Sequence, residues 1–124
     1  MKQSELREWL VEHQGNCPGC GSPLSPWHSL HHVFHRRLKQ IDDLLWVPIN
    51  ISLICPNCHP PAMSEAEDLN LNCALQKFSM GFEPDDIRDW LDSLPLKVKP
   101  GLPGFFIEAE EAFYSRDKRG VPIG

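Results

Sequence analysis

A chain of 124 residues with 41% hydrophobic content is the size of one domain and can bury one core. No apolar run approaches the ~20 residues of a membrane-spanning helix. The first residues are charged where a secretory signal would be apolar, so a cytoplasmic protein with reduced thiols is expected. A net charge of −5 excludes binding of nucleic acid by a uniformly basic surface, so any phosphate must meet a local basic patch.

The first predicted element is a helix capped by Ser4, with Leu6, Trp9, Leu10 and Val11 on its apolar side and Gly15 at its end. His13 near that end reads as a surface residue. Cys17 and Cys20 then enclose Pro18 and Gly19, a tight turn that aims two sulfurs at one point. A thioredoxin-like redox pair would need a βαβ context and no second pair, and neither condition holds.

Residues 27–34 suit a short strand containing His28, His31 and His32, and His35, Arg36, Arg37 and Lys39 follow as a basic run. Residues 41–48 read as a loop with the apolar anchors Leu44, Leu45 and Trp46. Ile51, Leu53 and Ile54, bounded by Asn50 and Cys55, predict a second short strand. Cys55 and Cys58 form a second paired turn with His59 directly behind it. Pro60 and Pro61 then forbid a long helix running straight through.

Ser64 and Glu67 have the spacing of a capping box and open a helix ending at Gly81. Its apolar face is Leu69, Leu71 or Cys73, Leu75, Phe78 and Met80, with Cys73 read as a buried small hydrophobe. Glu83 and Pro84 start the next helix, which buries Ile87, Trp90, Leu91 and Leu94. A helix-turn-helix DNA reader is disfavoured, because this second helix carries Asp85, Asp86, Asp89 and Asp92 against a lone Arg88. Residues 94–104 are rich in Pro and Gly and read as a loop, in which Lys97 and Lys99 add a basic spot. A last helix over 105–114 turns Phe105, Phe106, Ala109 and Phe113 inward, and 116–124, with Arg116, Lys118 and Arg119, reads as a frayed basic tail.

Four of the five cysteines fall in two Cys-x-x-Cys pairs, which predicts one structural zinc held by Cys17, Cys20, Cys55 and Cys58. His59 is a conceivable substitute for one cysteine, but its position after Cys58 directs it past the site. His28, His31, His32 and His35 crowd the segment between the pairs. Antiparallel pairing of the two strands would bring His31 or His32 near His59. Two imidazoles make a site for a second divalent cation, and a third can act as general base.

From Cys17 to about His59 these residues resemble the zinc-containing branch of the HNH endonucleases, the ββα-metal nucleases. The resemblance rests on Cys-x-x-Cys, the His-His pair, and the run from Asn50 through Ile51, Leu53 and Ile54 to Cys55, Cys58 and His59. It implies an α+β fold in a single domain, 1–124. A small zinc-stapled ββα-metal core would cover about 17–62, with an N-terminal helix and a C-terminal helical extension over about 64–115. It implies His32 as the general base, His31 and His59 as ligands of a catalytic divalent metal, and Asn50 as the brace of the loop between the strands. Arg36 and Arg37, with His35 beside them, would meet phosphate. Strand neighbours point to opposite faces, so His31 and His32 serve one site only if the strand end is distorted, and His35 stands in reserve for either role.

The expected chemistry is hydrolysis of a DNA phosphodiester with one catalytic metal, leaving 5′-phosphate and 3′-hydroxyl, and RNA stays open as a substrate. Two histidine ligands accept Mg²⁺, Mn²⁺, Ni²⁺ or Zn²⁺. A non-catalytic zinc module that binds nucleic acid would keep the cysteines without needing His32. A protein-interaction module built on the acidic C-terminal helices is the third class.

Overall fold

A computed structural model describes residues 2–59, 63–97 and 101–123, without the side chains of 63–66 and 116–123. Among the described residues the chain is a small mixed α/β protein with five helices and a two-stranded sheet. In chain order these are α1 (Gln3–His13), β1 (Ser29–His32), α2 (Asp42–Leu45), β2 (Ile51–Ile54), α3 (Met63–Ser79), α4 (Pro84–Ser93) and α5 (Gly104–Ile123).

The four residues of β2 are all buried, so this strand lies in the middle of the protein rather than on a wet sheet face. It pairs antiparallel with β1 in the register Ser29↔Ile54, Leu30↔Leu53, His31↔Ser52 and His32↔Ile51. Among the described residues its outer edge has no third strand. There the Gln14 side-chain amide exchanges two hydrogen bonds with Leu53, donating to the carbonyl at 2.8 Å and accepting from the N–H at 2.9 Å. Further along the same edge the Lys77 ammonium donates to the carbonyls of Ile51 and Pro48. Lys77 is fully buried, and burial brings its pKa down to about 7.

α1 covers β2 with Leu6 and Leu10, both fully buried and each contributing about 2 kcal/mol by the area it removes from water. The expected Ser4 cap is not made: α1 begins at Gln3, with Lys2 in the capping position. Gly15, at φ +87°, takes the left-handed conformation that turns the chain away after α1. Arg7 in the same helix donates to the carbonyls of Pro26 and His28 and ties down the loop before β1.

Between the strands, the segment expected to be a loop contains a 3-10 turn, Lys39–Ile41, and the single-turn helix α2. Asp42 and Asp43 lie in the first turn of α2, where carboxylates favour the helix dipole. Leu45 is the anchor of this segment and is fully buried, Trp46 is half-buried, and Leu44 is exposed rather than anchoring.

α3 buries Leu69, Cys73 and Ala74, while Leu71, Leu75, Phe78 and Met80 pack partly against the same core. Its end is closed by Gly81 at φ +108° and a hydrogen bond from Phe82 N–H to the Lys77 carbonyl, the pattern of a Schellman cap. The Ser64 side chain of the expected box lies outside what is described, as do residues Pro60, Pro61 and Lys99. In α4, Pro84 occupies the first turn and Asp86 accepts from Glu83 N–H at 2.8 Å. α5 docks on α3 and continues to Ile123, where a frayed tail was expected from Arg116. Phe106 and Ala109 are its buried residues, and Phe34 meets both Phe105 and Phe106, which joins the strand hairpin to α5.

Candidate metal centre and histidine site

The loop after α1 doubles back on itself. Cys17 N–H donates to Ser22 O at 2.9 Å, and Gly21 N–H donates to Cys17 O at 2.8 Å. Gly21, at φ +78°, permits that reversal. The second turn is closed by Cys58 N–H and His59 N–H, which donate to Cys55 O at 3.0 and 3.2 Å. Both turns therefore present their cysteines on the inside of a tight backbone curl.

The sulfurs of Cys17, Cys20, Cys55 and Cys58 all lie within 4.8 Å of one another, and those of Cys20 and Cys55 are 3.6 Å apart. A tetrahedron with ~2.3 Å metal–sulfur bonds has an edge of about 3.8 Å, so this cluster fits one metal ion. Hydrogen bonding to Ser22 brings the Cys20 thiol down to about 6. The Cys58 thiol moves the other way, far above the usual thiol range, chiefly because Cys55 lies beside it and then because it is buried. Four thiolates packed this closely repel one another, and a bound cation relieves that repulsion. Gly19 belongs to the site by its lack of a side chain, since a Cβ there would lie 2.9 Å from both Cβ and Sγ of Cys58.

His31 comes together with His59, the residue that follows Cys58. Their ring centres are 6.0 Å apart and the planes are nearly perpendicular, at 89°. Two imidazoles bonded to one ion through ~2.1 Å bonds have ring centres roughly 5–6 Å apart, and the His31–His59 distance lies at the upper end of that range. His31 Nε2 lies 2.6 Å from Asn70 Oδ1 of α3; because that oxygen only accepts, Nε2 carries the proton. Burial lowers the His31 pKa against the opposing effect of that hydrogen bond, and the ring is kept in the neutral form that binds metals.

His32 does not join them. As the next residue in β1 it points to the other face, where its ring meets Trp46 edge-on at 4.6 Å. Its Nε2 is buried without a hydrogen-bond partner among the described residues, and its pKa is lowered, first by burial and then by His31. His35 is oriented differently. Its Nδ1 donates to Arg36 O at 2.7 Å, which leaves Nε2 with a free lone pair. His28 is buried, accepts from Ser25 N–H and packs on Trp27, so it belongs to the loop rather than to either cluster.

Asn50 is fully buried at the base of the loop that carries His35. Its Oδ1 accepts from the N–H groups of Phe34 and His35, both at 2.9 Å, and its Nδ2 donates to His35 O and Leu45 O at 3.0 and 3.2 Å. On the outside of this loop Arg37 is paired with Asp42 at 3.1 Å, whereas the exposed Arg36 guanidinium has no partner among the described residues. Asn70 escaped the sequence pattern because a polar residue beside Leu69 and Leu71 reads as the wet side of an amphipathic helix. Its partner is 39 positions away, and no local signal announces that.

The arrangement defines a small mixed α/β protein with a cluster of four cysteines close enough together to hold a metal ion, and none of its described helices is long and apolar enough to cross a membrane. Comparison with family models, curated proteins and solved structures gives no match to this chain.

Proposed function

We propose that the chain is a metal-dependent endonuclease that hydrolyses DNA phosphodiester bonds, with one structural zinc at Cys17, Cys20, Cys55 and Cys58. The observation that carries the proposal is the meeting of His31 and His59 at 6.0 Å beside the cysteine cluster. The succession of β1, β2 and α3, with α3 supplying Asn70 to His31, supports a ββα-metal type of core. A divalent cation held there (Mg²⁺, Mn²⁺, Ni²⁺ or Zn²⁺) supplies neutralisation of charge on the scissile phosphate.

The chain's own residues then have distinct tasks. His31 and His59 would hold the cation through ring nitrogens. Asn50 fixes the loop in which His35 and Arg36 lie, and the unpaired Arg36 meets a phosphate oxygen. A histidine of this segment takes the proton from the attacking water. The family resemblance gives that role to His32. The open Nε2 of His35 makes it the competitor.

Incubation of the purified protein with supercoiled plasmid across a series of divalent metals tests the proposal, and metal-dependent nicking or linearisation is the expected result. Retained DNA binding without cutting under any metal would leave the non-catalytic zinc module. One observation favours that second reading: His32 Nε2 is buried against Trp46 instead of facing water.

A further inference from the structure

The geometry points to Asn70 as a positioning residue that fixes the tautomer and orientation of His31 so that its Nδ1 lone pair is presented to a divalent cation. This rests on the proposed role of His31 and His59 and adds to that pair a residue outside the sequence pattern that suggested it.

The argument begins with the bond itself. Asn70 Oδ1 lies 2.6 Å from His31 Nε2 and ends on the ring of a candidate ligand, not on backbone. An amide oxygen accepts a hydrogen bond and cannot donate one, so Nε2 keeps its proton and the neutral ring is the Nε2–H tautomer. The free lone pair is then on Nδ1. Imidazoles that bind metals through one nitrogen commonly donate the other N–H to an oxygen, which sets the ring angle before the cation arrives.

The support behind Asn70 is stiff. Six residues along α3 Gln76 donates to Asn16 O at 2.9 Å, and one residue further Lys77 holds the carbonyls of Pro48 and Ile51. These bonds tie α3 to the loop before Cys17 and to β2, which is the partner strand of His31. Rotation of the His31 ring about its own axis is thereby restrained from outside β1. A merely structural link between α3 and β1 would contribute to stability but would not select one nitrogen.

Full-length protein carrying one equivalent of zinc on its cysteines is the material for the test. Long-range ¹⁵N–¹H spectra of its imidazoles, recorded before any second metal is added, should show His31 as the Nε2–H tautomer. In Asn70→Ala the two tautomers should mix, and in Asn70→Asp the Nε2–H form should return. Calorimetric titration with Ni²⁺ should show the second equivalent binding about 10- to 100-fold more weakly in Asn70→Ala. Asn70→Asp should restore most of that loss. An Nδ1–H tautomer in the unaltered protein would overturn the proposal without any variant having to fold. So would an unchanged affinity for the second Ni²⁺ in Asn70→Ala, even if plasmid is cut normally. Conversely, Asn70-dependent Ni²⁺ binding without plasmid cleavage supports the positioning role and removes only the nuclease reading.

Discussion

His35 and Asn50 exchange hydrogen bonds in opposite directions: His35 N–H donates to Asn50 Oδ1 at 2.9 Å, and Asn50 Nδ2 donates back to His35 O at 3.0 Å. One side-chain amide thus pairs with the N–H and C=O of one residue as a neighbouring strand would. With Phe34 N–H and Leu45 O it also fills the remaining capacity of its oxygen and nitrogen.

Asn50→Ala removes all four bonds and leaves two N–H donors without partners. Each unsatisfied buried group costs about 1–3 kcal/mol, so a loss of at least ~2 kcal/mol in urea unfolding is expected. Asn50→Asp keeps the acceptor and loses the donor, and should fall between Ala and the unaltered chain. Equal stability of all three would show that the loop is held by something else.

The cysteine cluster should behave as part of the fold. Chelation of the metal, or Cys55→Ser, should unfold the region from Cys17 to His59, visible as a changed circular dichroism spectrum and a lowered melting temperature. Gly19→Ala should reproduce a milder version through weaker metal retention against a competing chelator, because the added methyl meets Cys58. An unchanged melting profile after complete metal removal would end the structural role.

The histidines divide into ligands and base by the way their loss is rescued. His59→Ala should lose cleavage that returns in part at high metal concentration, since it removes a ligand. Loss of the base should cut the rate by ~10²- to 10⁴-fold with DNA affinity nearly intact and no metal rescue. If His32→Ala shows this pattern, its ring must leave Trp46 when DNA binds. If His35→Ala shows it instead, the base is the imidazole whose Nε2 is already open.

Lys77 predicts a dependence of stability on pH. Its folded pKa is about 7, below the ordinary lysine value of 10.5, so between these limits the unfolded chain binds a proton that the folded chain has shed. Stability therefore rises with pH across this window, and the contribution is smallest below about pH 7. From pH 7 to 9 the rise is at most about 2 kcal/mol. Subtracting the same curve for Lys77→Met isolates it, and parallel curves for the two proteins would mean that Lys77 keeps its proton.

Features of this fold that depend on near neighbours were legible in the sequence. The two paired turns, the alternation of Ile51 and Leu53, and the proline opening α4 all act within a few residues. The helical nature of α2 was less visible, because one turn is too short to show a period and its Leu44 faces outward. Lys77 was hidden for a different reason. Lysine is rarely buried, and only the distant carbonyls of Pro48 and Ile51 make its burial tolerable. At the candidate site the proximity of His31 to His59 followed from pairing the strands, whereas the separation of His32 from both follows from the regular pleat of β1. A distorted strand end would have been needed to unite them.

The side chains along the outer edge of β2 also decide what the protein cannot do. A strand with bare N–H and C=O groups is a template onto which another extended chain can add, from a peptide partner or from a second copy of the same molecule. Here Leu53 has both groups engaged by Gln14, and the carbonyl of Ile51 is engaged by Lys77. The edge is closed by two side chains, one from the residue that caps the end of α1 and one from α3. At Leu53 and Ile51 the outer edge of β2 is thereby closed to the addition of another strand.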